Sequence, residues 1–425
     1  MRAALIRCRR SPPSPSPGPP RRYSLDLDCD TGAAVVGSIG VNKYKGAVYV
    51  FQQNTTSPAW AQVQKVVPPD AVDYDYVGGA VSISGSTFAA SARNTKTGDK
   101  AGSGVVYIFA KSGNEPWTVN QTLKHTVAIT NGLFGQSVSL DGDTLAVGTW
   151  APNGTQKIEG SVYVYTRTGT GAPFTLQQML FGTTTGSGDH GEQFGASMAL
   201  QGDILAVGAS NSGDPQKGAA YVYARSAQVW GTPVRLAPDD LADHNQFGTA
   251  VALDGDTLVV GAAFNGCPYG CAEFSGLGAA YVYVNTAGTW NLQQKLTASD
   301  GVVRDYFGAA VAIEGDRIVV GAPGAQSGVG RVYAFTRSGA AWTEETAKYD
   351  PKKNDASADD QVSPLKFGGA WAGSQGFPAG QSGAYRGGGI ALQGTTLMVS
   401  AYLATADVVI PSTNKGAVYV IPVNV

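Results

Sequence analysis

The sequence has few charged residues, few histidines and no long apolar run, and each shortage excludes a class of protein. Asp, Glu, Lys and Arg make up only 15% of the 425 residues, and the formal net charge is −2. This balance offers no broad attraction to nucleic acid or to acidic membranes, so neither is expected as a partner. No run of 18 or more apolar residues occurs, so no membrane span is predicted. The three histidines (His125, His190 and His244) are scattered and are interpreted as surface residues.

Common catalytic motifs are absent as well. The chain contains no Gly-x-Ser-x-Gly elbow, no Gly-Lys-Ser/Thr phosphate loop and no His-Glu-x-x-His pair. Arg93, Arg304 and Arg331 are candidates for lining a central axis, but nothing in the sequence makes them converge. We therefore predict a protein that is not an enzyme, with no catalytic residues and no cofactor.

Glycine, by contrast, is abundant, with 57 residues, and it marks a repeat of about 50–60 residues. Each clear copy opens on Phe-Gly, alternates polar and apolar residues, turns at a motif such as Asp141-Gly142-Asp143, and continues into a run such as Leu145-Ala146-Val147-Gly148. A Gly-x-x-Tyr strand and a Trp-x-x-x-Gln-x-Leu strand follow. Period-two alternation with tight turns predicts β-strands. The clearest copies begin at Phe134, Phe194, Phe247 and Phe307.

Because one such unit cannot bury its own apolar face, neighbouring units must pack together. Seven copies of four strands predict an all-β fold, a seven-bladed β-propeller of four-stranded antiparallel blades over residues 23–425. The Trp-x-x-x-Gln-x-Leu strand that would close the ring is missing upstream of Tyr23. We therefore expect imperfect closure and an incomplete N-terminus. The Arg/Ser/Pro-rich residues 1–22 are expected to be disordered, and residues of about 347–385 to form an insertion.

The paired elements Phe247-Gly248 and Val260-Gly261-Ala262, with their counterparts in other copies, resemble the FG-GAP repeat family. Its best-known members form the seven-bladed head of integrin α subunits. The resemblance covers about residues 23–425 and implies a stand-alone propeller without integrin's leg domains or membrane span. It is much more specific for the fold than for the function.

The resemblance also raises the question of calcium. Calcium-binding members hold the ion in an Asp-x-Asp-x-Asp-Gly loop between the first and second strands. Most copies here have only a hairpin such as Asp141-Gly142-Asp143, whose acids are interpreted as solvated turn residues. Asp26, Asp28 and Asp30 alone keep the carboxylate spacing, with Gly32 one position late. Two interpretations stay open for them: a calcium site, or a strand with a solvated acidic face.

Several loop features indicate an extracellular or cell-surface glycoprotein. Cys267 and Cys271 lie in a Gly/Pro-rich loop, where a local disulfide is favoured over two free thiols. Sequons begin at Asn54, Asn120 and Asn153.

Most aromatic residues recur at fixed repeat positions and are interpreted as core packing, whereas Trp150 and Trp371 lie in loops as anchors or exposed contacts. The acids ahead of each Phe-Gly are interpreted as loop-solvating charges (Asp189, Asp239, Asp240, Asp243, Asp300 and Asp305).

The two faces of the predicted disc differ in their connections. Turns between strands 1 and 2 are tight, whereas the 2–3 and 4–1 connections vary in length, and recognition usually resides in variable loops on a rigid frame. The leading hypothesis is therefore a monomeric, non-enzymatic adhesion module that binds a protein or glycan ligand through this variable face. The alternatives are a propeller hydrolase or lyase with an axial active site, and a structural repeat domain of a larger cell-surface protein.

Overall fold

The computed structural model describes residues 4–6, 23–28, 30–54, 60–149, 160–182, 193–213, 217–266, 276–328, 330–345, 390–393, 396–401 and 417–422. Within these ranges the regular structure is β-strand, apart from the single helical turn α1 (Ala325–Gly328). No helix in this part of the chain is long and apolar enough to cross a membrane. The all-β prediction is therefore confirmed for the described residues.

Strand β1 (Ala4–Ile6) precedes six blades, each built from one continuous segment whose strands pair antiparallel. Blade 1 contains β2 (Tyr23–Asp28), β3 (Ala33–Ser38), β4 (Ala47–Gln53) and β5 (Trp60–Val66); blade 2 contains β6 (Val77–Ser84), β7 (Thr87–Ala92), β8 (Val105–Ala110) and β9 (Thr118–Lys124). Blade 3 contains β10 (Ser137–Asp141), β11 (Thr144–Thr149), β12 (Ser161–Thr166) and β13 (Thr175–Leu180).

The next three blades follow the same order. Blade 4 contains β14 (Phe194–Gln201), β15 (Ile204–Ala209) and β16 (Ala219–Ser226), and its fourth strand is split into β17 (Val229–Trp230) and β18 (Val234–Leu236). Pro233, which has no N–H to donate, lies at this break. Blade 5 contains β19 (Phe247–Asp254), β20 (Thr257–Ala262), β21 (Ala279–Thr286) and β22 (Thr289–Leu296); blade 6 contains β23 (Ala310–Glu314), β24 (Arg317–Ala322), β25 (Arg331–Ser338) and β26 (Ala341–Glu344).

Four-stranded antiparallel blades are confirmed, but only six are built from one continuous segment of the chain, one fewer than predicted. In the described residues no fourth strand follows β29 (Ala417–Pro422), which pairs with β28 (Thr396–Ala401) and through it with β27 (Ile390–Gln393). Strand β1 completes this terminal sheet from the other end of the chain, with Leu5 opposite Tyr419.

The expectation that no closing strand lies upstream of Tyr23 is therefore wrong. Backbone pairing needs only an extended segment, not the Trp-x-x-x-Gln-x-Leu side chains. Within residues 1–22, which are expected to be disordered, Ala4–Ile6 form strand β1, and the rest of that segment lies outside the described residues.

The innermost strands follow one another around a common axis. Strand β2 contacts β6, and the series continues through β10, β14, β19 and β23 to β27, which in turn contacts β2. The apolar core lies between the faces of neighbouring sheets. Within blade 5 the buried Phe247 ring packs edge-on against Tyr281, with centroids 5.4 Å apart, and blades 3, 4 and 6 repeat this Phe–Tyr pair.

The two halves of the repeat signature meet between blades. Gly261, from the Val-Gly-Ala element of blade 5, faces Gly308, from the Phe-Gly element of blade 6. A Cβ atom on Gly261 would overlap the carbonyl oxygen of Gly308, and Gly308 itself has a φ of +90°. The signature thus reflects backbone-to-backbone contact between neighbouring blades. The same contact joins Gly37 to Gly78, Gly148 to Gly195 and Gly208 to Gly248.

The recurring glutamine of the fourth strand joins the outer parts of neighbouring blades. Gln64 Nε2 donates to the carbonyl oxygen of Trp117, and Gln64 Oε1 accepts from the Trp117 N–H, both at 2.8 Å. This pair of bonds reproduces one step of a β-ladder with a side-chain amide. It recurs between Gln121 and Phe174, Gln178 and Trp230, and Gln294 and Trp342.

Blade 4 has valine where the fourth strands of blades 1, 2, 3 and 5 carry this glutamine. Val234 lies opposite Val222 in the register in which Gln294 lies opposite Val282, and it is 42% exposed. We expect Val234→Gln to reach the backbone of Trp290 in blade 5 and to raise the free energy of unfolding by about 1 kcal/mol. Urea denaturation measures this gain. The control Val234→Ala cannot form the pair, so an equal gain in both variants would contradict the prediction.

Candidate binding surface on the loop face

The blades present two faces, which we call the turn face and the loop face. The turn face carries the hairpins between strands 1 and 2 and between strands 3 and 4. The loop face carries the 2–3 connections within blades and the 4–1 connections between them. Because strands alternate in direction, all connections of one kind emerge on the same side.

On the turn face, neighbouring hairpins are hydrogen-bonded to each other. Asp141 Oδ2 accepts from the Gly202 N–H of the next blade, and Asp254 Oδ2 accepts from the Gly315 N–H, both at 2.6 Å. Charge-assisted bonds of this kind are stronger than neutral ones. The interpretation of Asp141 and Asp254 as merely solvated turn residues is therefore wrong, because each satisfies a backbone donor of the following blade.

Arginines from the third strands reinforce this face. Arg225 Nε contacts Asp203 Oδ1 at 2.7 Å, its guanidinium lies 5.1 Å from the Trp230 ring, and its Nη1 donates to Thr144 of the preceding blade at 2.9 Å. Arg167 and Arg337 repeat all three contacts in blades 3 and 6. The polar groups of the turn face are thus largely used within the protein.

Asp26 and Asp28, two of the three residues considered for calcium, face blade 2. Asp26 Oδ2 accepts from Ser82 Oγ and the Ile83 N–H, both at 2.9 Å. Asp28 Oδ2 accepts from the Gly85 N–H, whereas Asp30 is exposed in the turn. These placements do not form the converging oxygen cage that calcium needs.

Among the described residues, no group of three His, Cys, Asp or Glu side chains could hold a metal. Calcium binding at Asp26, Asp28 and Asp30 stays a prediction, which calorimetric titration with calcium would test. The observed contacts give Asp26 and Asp28 a structural role between blades 1 and 2.

Burial raises the pKa of the Asp26 carboxyl above the ordinary value for an aspartate. Removal from solvent raises its pKa from 3.8 to about 6, and the nearby Asp28 carboxylate adds to the rise. The hydrogen bonds from Ile83, Leu27 and Ser82 oppose the shift without cancelling it. Blades 2 and 3 have neutral serines at the corresponding position, Ser82 and Ser139, which accept the same backbone bond.

On the loop face, acidic side chains hold the 4–1 connections against the third strands. Asp240 accepts from the Tyr281 hydroxyl at 3.0 Å and from Lys295 Nζ at 2.7 Å. Asp300 accepts from the Tyr333 hydroxyl at 2.9 Å and from Arg331 at 2.6 Å.

These contacts also shift the pKa values of Asp240 and Tyr281. Burial opposes ionisation of Asp240, but the bonds from Lys295 and Tyr281 outweigh it and hold the pKa of Asp240 below its ordinary value. Burial, and then the Asp240 carboxylate, raises the pKa of Tyr281. The interpretation of Asp240 and Asp300 as loop-solvating charges is therefore wrong, since both are anchors at the same position seven residues before Phe-Gly.

In blades 2, 5 and 6 a second anchor lies two residues before the Phe-Gly position. Asp75 Oδ2 accepts from the Val72 N–H at 2.7 Å, and Asp305 and Asn245 make the equivalent bond. The flanking residues have left-handed backbones, with φ of 70° at Tyr74 and 61° at Tyr76. Such conformations are unfavourable for bulky residues and persist only where surrounding bonds hold them. The 4–1 connections are thus held in defined shapes.

His125 shows the same anchoring by a different side chain. It is buried, its Nδ1 accepts from the Val127 N–H at 3.1 Å, and its Nε2 lies 2.8 Å from the Tyr163 hydroxyl. Burial lowers the pKa of His125. The prediction of a surface histidine is wrong at this position. His244 is partly buried, and His190 lies outside the described residues.

Three tyrosines form a cluster on the loop face between blades 1 and 2. The Tyr44 and Tyr74 rings stack at 5.9 Å with an interplanar angle of 19°, and the Tyr76 ring lies edge-on to Tyr44 at 6.0 Å. The Arg93 guanidinium lies 5.9 Å from the Tyr76 ring centre. We call Tyr44, Tyr74 and Tyr76 the tyrosine cluster.

Sequence reasoning missed this cluster, because it assigned nearly all aromatic residues to the core. A signal was available at Tyr74 and Tyr76. They flank the anchor Asp75 in a connection, not a strand, where blade 5 has His244 and Gln246 instead. Tyrosine outside the repeated strand positions is therefore the feature to examine.

The repeat itself matches a known family. The FG-GAP repeat model matches residues 60–109, 117–165, 184–223, 230–283 and 290–335, which together exceed half of the chain. The chain belongs to the FG-GAP repeat family. The resemblance predicted from the Phe-Gly and Val-Gly-Ala elements is confirmed.

Solved structures share the fold of this FG-GAP protein at low sequence identity. One, provisionally named 6-phosphogluconolactonase from Bacteroides fragilis, is 10% identical with a TM-score of 0.52, covering 77% of this chain and 83% of that one. A second of the same provisional name, from Bacteroides uniformis, is 11% identical with a TM-score of 0.50, covering 74% and 81%. No curated protein sequence matches the chain. At such identities the likeness shows the fold alone.

The exposed large apolar side chains of the FG-GAP domain fall into two groups among the described residues. Five lie on the outermost strands of blades (Val63, Leu176, Val229, Val234 and Leu292). The other six all lie on 4–1 connections of the loop face (Val72, Tyr74, Val127, Phe181, Val302 and Val303). Apolar groups left in solvent are thus concentrated on the loop face and the outer rim.

The remaining predicted residues are not brought together. Arg331 lies on β25 and binds Asp300, whereas Arg93 donates to Gln136 of blade 3 at 3.2 Å. Asn54 and Asn120 are both exposed. The predicted disulfide of Cys267 and Cys271, the loop residues Trp150 and Trp371, Asp189, the sequon at Asn153 and the insertion at about 347–385 lie outside the described residues.

Proposed function

We propose that this FG-GAP propeller is a non-enzymatic, extracellular or cell-surface binding module that recognises a protein or glycan through its loop face. The observation that carries the proposal is the placement of six exposed large apolar side chains on the 4–1 connections. Large apolar side chains that a folded protein leaves in solvent on one face are candidates for contact with a partner.

The contrast between the turn face and the loop face supports the loop face as the binding surface. Hairpins of the turn face bind one another through residues such as Asp141 and Asp254. On the loop face, Asp75, Asp240 and Asp305 fix the bases of the connections, while side chains such as Val72 and Val302 extend into solvent. A rigid frame that presents apolar groups loses little entropy on binding.

An axial enzyme is the second candidate, favoured by the provisional lactonase names of the two solved structures with this fold. The described innermost strands offer little for such chemistry. At one position per blade they carry Asp26, Ser82 and Ser139, whose oxygens accept backbone N–H groups of the next blade. Blades 4 to 6 have alanine there.

The proposal predicts that removing apolar groups from the loop face abolishes binding. In the variant Val72→Ser, Val127→Ser, Val302→Ser, each changed side chain is between 58% and 59% exposed, so folding should be preserved. We expect at least a tenfold loss of binding to partners found on arrays of oligosaccharides and secreted proteins, because the contact area lost is apolar.

The matched control is Leu176→Ser, Leu292→Ser, which removes exposed apolar groups from the outer strands instead. This control should bind as the parent does. Equal loss in both variants, or none in the loop-face variant, would contradict the proposed face. Hydrolysis of 6-phosphogluconolactone above the buffer rate would favour the enzyme instead.

A further inference from the structure

We propose that the tyrosine cluster is a sugar-binding subsite, which takes a pyranose ring of a glycan against the exposed face of Tyr74. The inference rests on the proposed function and names the ligand class for one part of the loop face. It follows from how the cluster is held, how open it is and which polar groups surround it.

The cluster is held across two blades by backbone hydrogen bonds. The Tyr76 N–H donates to the Tyr44 carbonyl at 3.0 Å, and the Tyr74 N–H donates to the Lys43 carbonyl at 3.2 Å. Asn94 Nδ2 donates to the Tyr74 carbonyl at 2.7 Å. Residues Asn42 to Tyr44 have three consecutive positive φ angles, the one such non-glycine run in the described chain. Backbones held in sparsely populated conformations often occur at ligand sites.

One ring of the cluster, that of Tyr74, is open to solvent although it stacks on Tyr44, whereas Tyr44 and Tyr76 are partly buried. Tyr74 is 55% exposed, so its stacking on Tyr44 leaves more than half of the side chain available. The corresponding loops of blades 5 and 6 carry an aromatic pair as well, Phe264 and Tyr306, with centroids 5.4 Å apart. That pair is only 1% and 7% exposed and serves as core. The contact of Phe264 with Tyr306 repeats that of Tyr44 with Tyr76. Arg304 stands at the position of Tyr74, so the exposed ring of Tyr74 is an addition to the repeated aromatic pair.

Polar groups surround the aromatic surface on several sides. Arg93 lies over Tyr76 and donates to Gln136, Asn94 binds the Tyr74 backbone carbonyl, and the exposed pair of Lys43 and Asp73 has its charged atoms 3.6 Å apart.

A pyranose ring matches this combination, because its C–H face is apolar while its hydroxyls both donate and accept hydrogen bonds around the edge. A nucleic acid base would use the same stacking, but the chain's net charge of −2 does not favour a polyanion. A purely apolar peptide side chain would place no hydrogen-bonding group beside the exposed Lys43 and Asp73. The chemistry therefore favours a glycan.

The test uses the whole chain on an array of glucose, galactose, mannose and uronic-acid oligosaccharides, with calorimetry for those that bind. Tyr74→Ala should raise the dissociation constant for the oligosaccharide at least tenfold, because it removes the ring on which the sugar stacks. Tyr74→Phe keeps that face and should stay within about threefold of the parent. Leu292→Ala, an exposed outer-strand change outside the proposed site, should bind as the parent does.

The remaining outcomes are distinct. Failure of the parent to bind any arrayed oligosaccharide overturns the inference, and so does unchanged oligosaccharide binding by both Tyr74→Ala and Tyr44→Ala. If the parent instead binds a secreted protein that the loop-face valine variant loses, the sugar subsite fails while the proposed function stands. If the parent binds neither kind of probe, both fail.

Discussion

Gly261→Ala is expected to lower the free energy of unfolding by about 3 kcal/mol or more, although it adds a single methyl group. Gly261 lies in strand β20, where alanine meets no backbone strain, so the whole cost comes from overlap with the Gly308 carbonyl of the next blade. That oxygen belongs to the backbone, which cannot rotate away as a side chain would. The two blades would have to separate at the point where their backbones touch.

Gly255→Ala is the matched control. Gly255 lies in the β19–β20 hairpin with a φ of +53°, and a Cβ there would meet nothing within 4 Å. The expected loss in free energy of unfolding is therefore only about 1 kcal/mol, the cost of a residue with a Cβ in the left-handed backbone conformation. Urea denaturation followed by circular dichroism compares the two variants. A cost for Gly261→Ala no larger than that for Gly255→Ala would disprove the close-contact explanation.

Asp26→Asn is expected to remove a dependence of stability on pH that amounts to on the order of 3 kcal/mol between pH 4 and 6. The folded-state pKa of Asp26 is raised to about 6 from 3.8, mainly by burial. Neutral Asp26 therefore contributes its full stability below about pH 3.8, and that contribution is lost as the pH rises through 6. Above pH 6 the protein holds a desolvated carboxylate whose partners among the described residues are neutral hydrogen-bond donors.

The comparison is made by urea denaturation of the parent and the variant at pH 4, 5, 6 and 7. At pH 7 the variant should be more stable by about 1–2 kcal/mol, since asparagine loses the bond from the Leu27 N–H but not those from Ser82 and Ile83. At pH 4, where the parent regains about 2–3 kcal/mol by protonating Asp26, the variant should instead be less stable than the parent by about 1 kcal/mol. Asp26→Ser, which places the residue of blade 2 in blade 1, should remove the same dependence. A difference that stays constant across the pH range would refute the buried-carboxylate explanation.

The blades could be predicted from sequence because their signals are local and repeated. The Phe-Gly and Val-Gly-Ala elements are each needed wherever two backbones touch, as Gly261 and Gly308 do. Each glycine is therefore retained in almost every copy. The glutamine strand was visible for the same reason, since Gln64 and Gln294 bind backbone groups that every neighbouring blade offers.

Other features leave no such signal. Strand β1 closes the terminal sheet through its backbone, and three ordinary apolar residues do not reveal that. The anchoring role of Asp240 depends on Tyr281, about 40 residues further along the chain, and on the turn that brings them together. For the tyrosine cluster, the sequence shows Tyr44 and Tyr74 apart, and only the folded connections stack them.

The sequence repeat and the blade are out of phase, and this affects cooperativity. Residues 117–165, one matched unit, begin beside the fourth strand of blade 2 and end in the third strand of blade 3. A unit that opens thus withdraws one strand from one sheet and three from its neighbour. Melting cannot stop cleanly at a sheet boundary, so adjacent modules are obliged to lose order together.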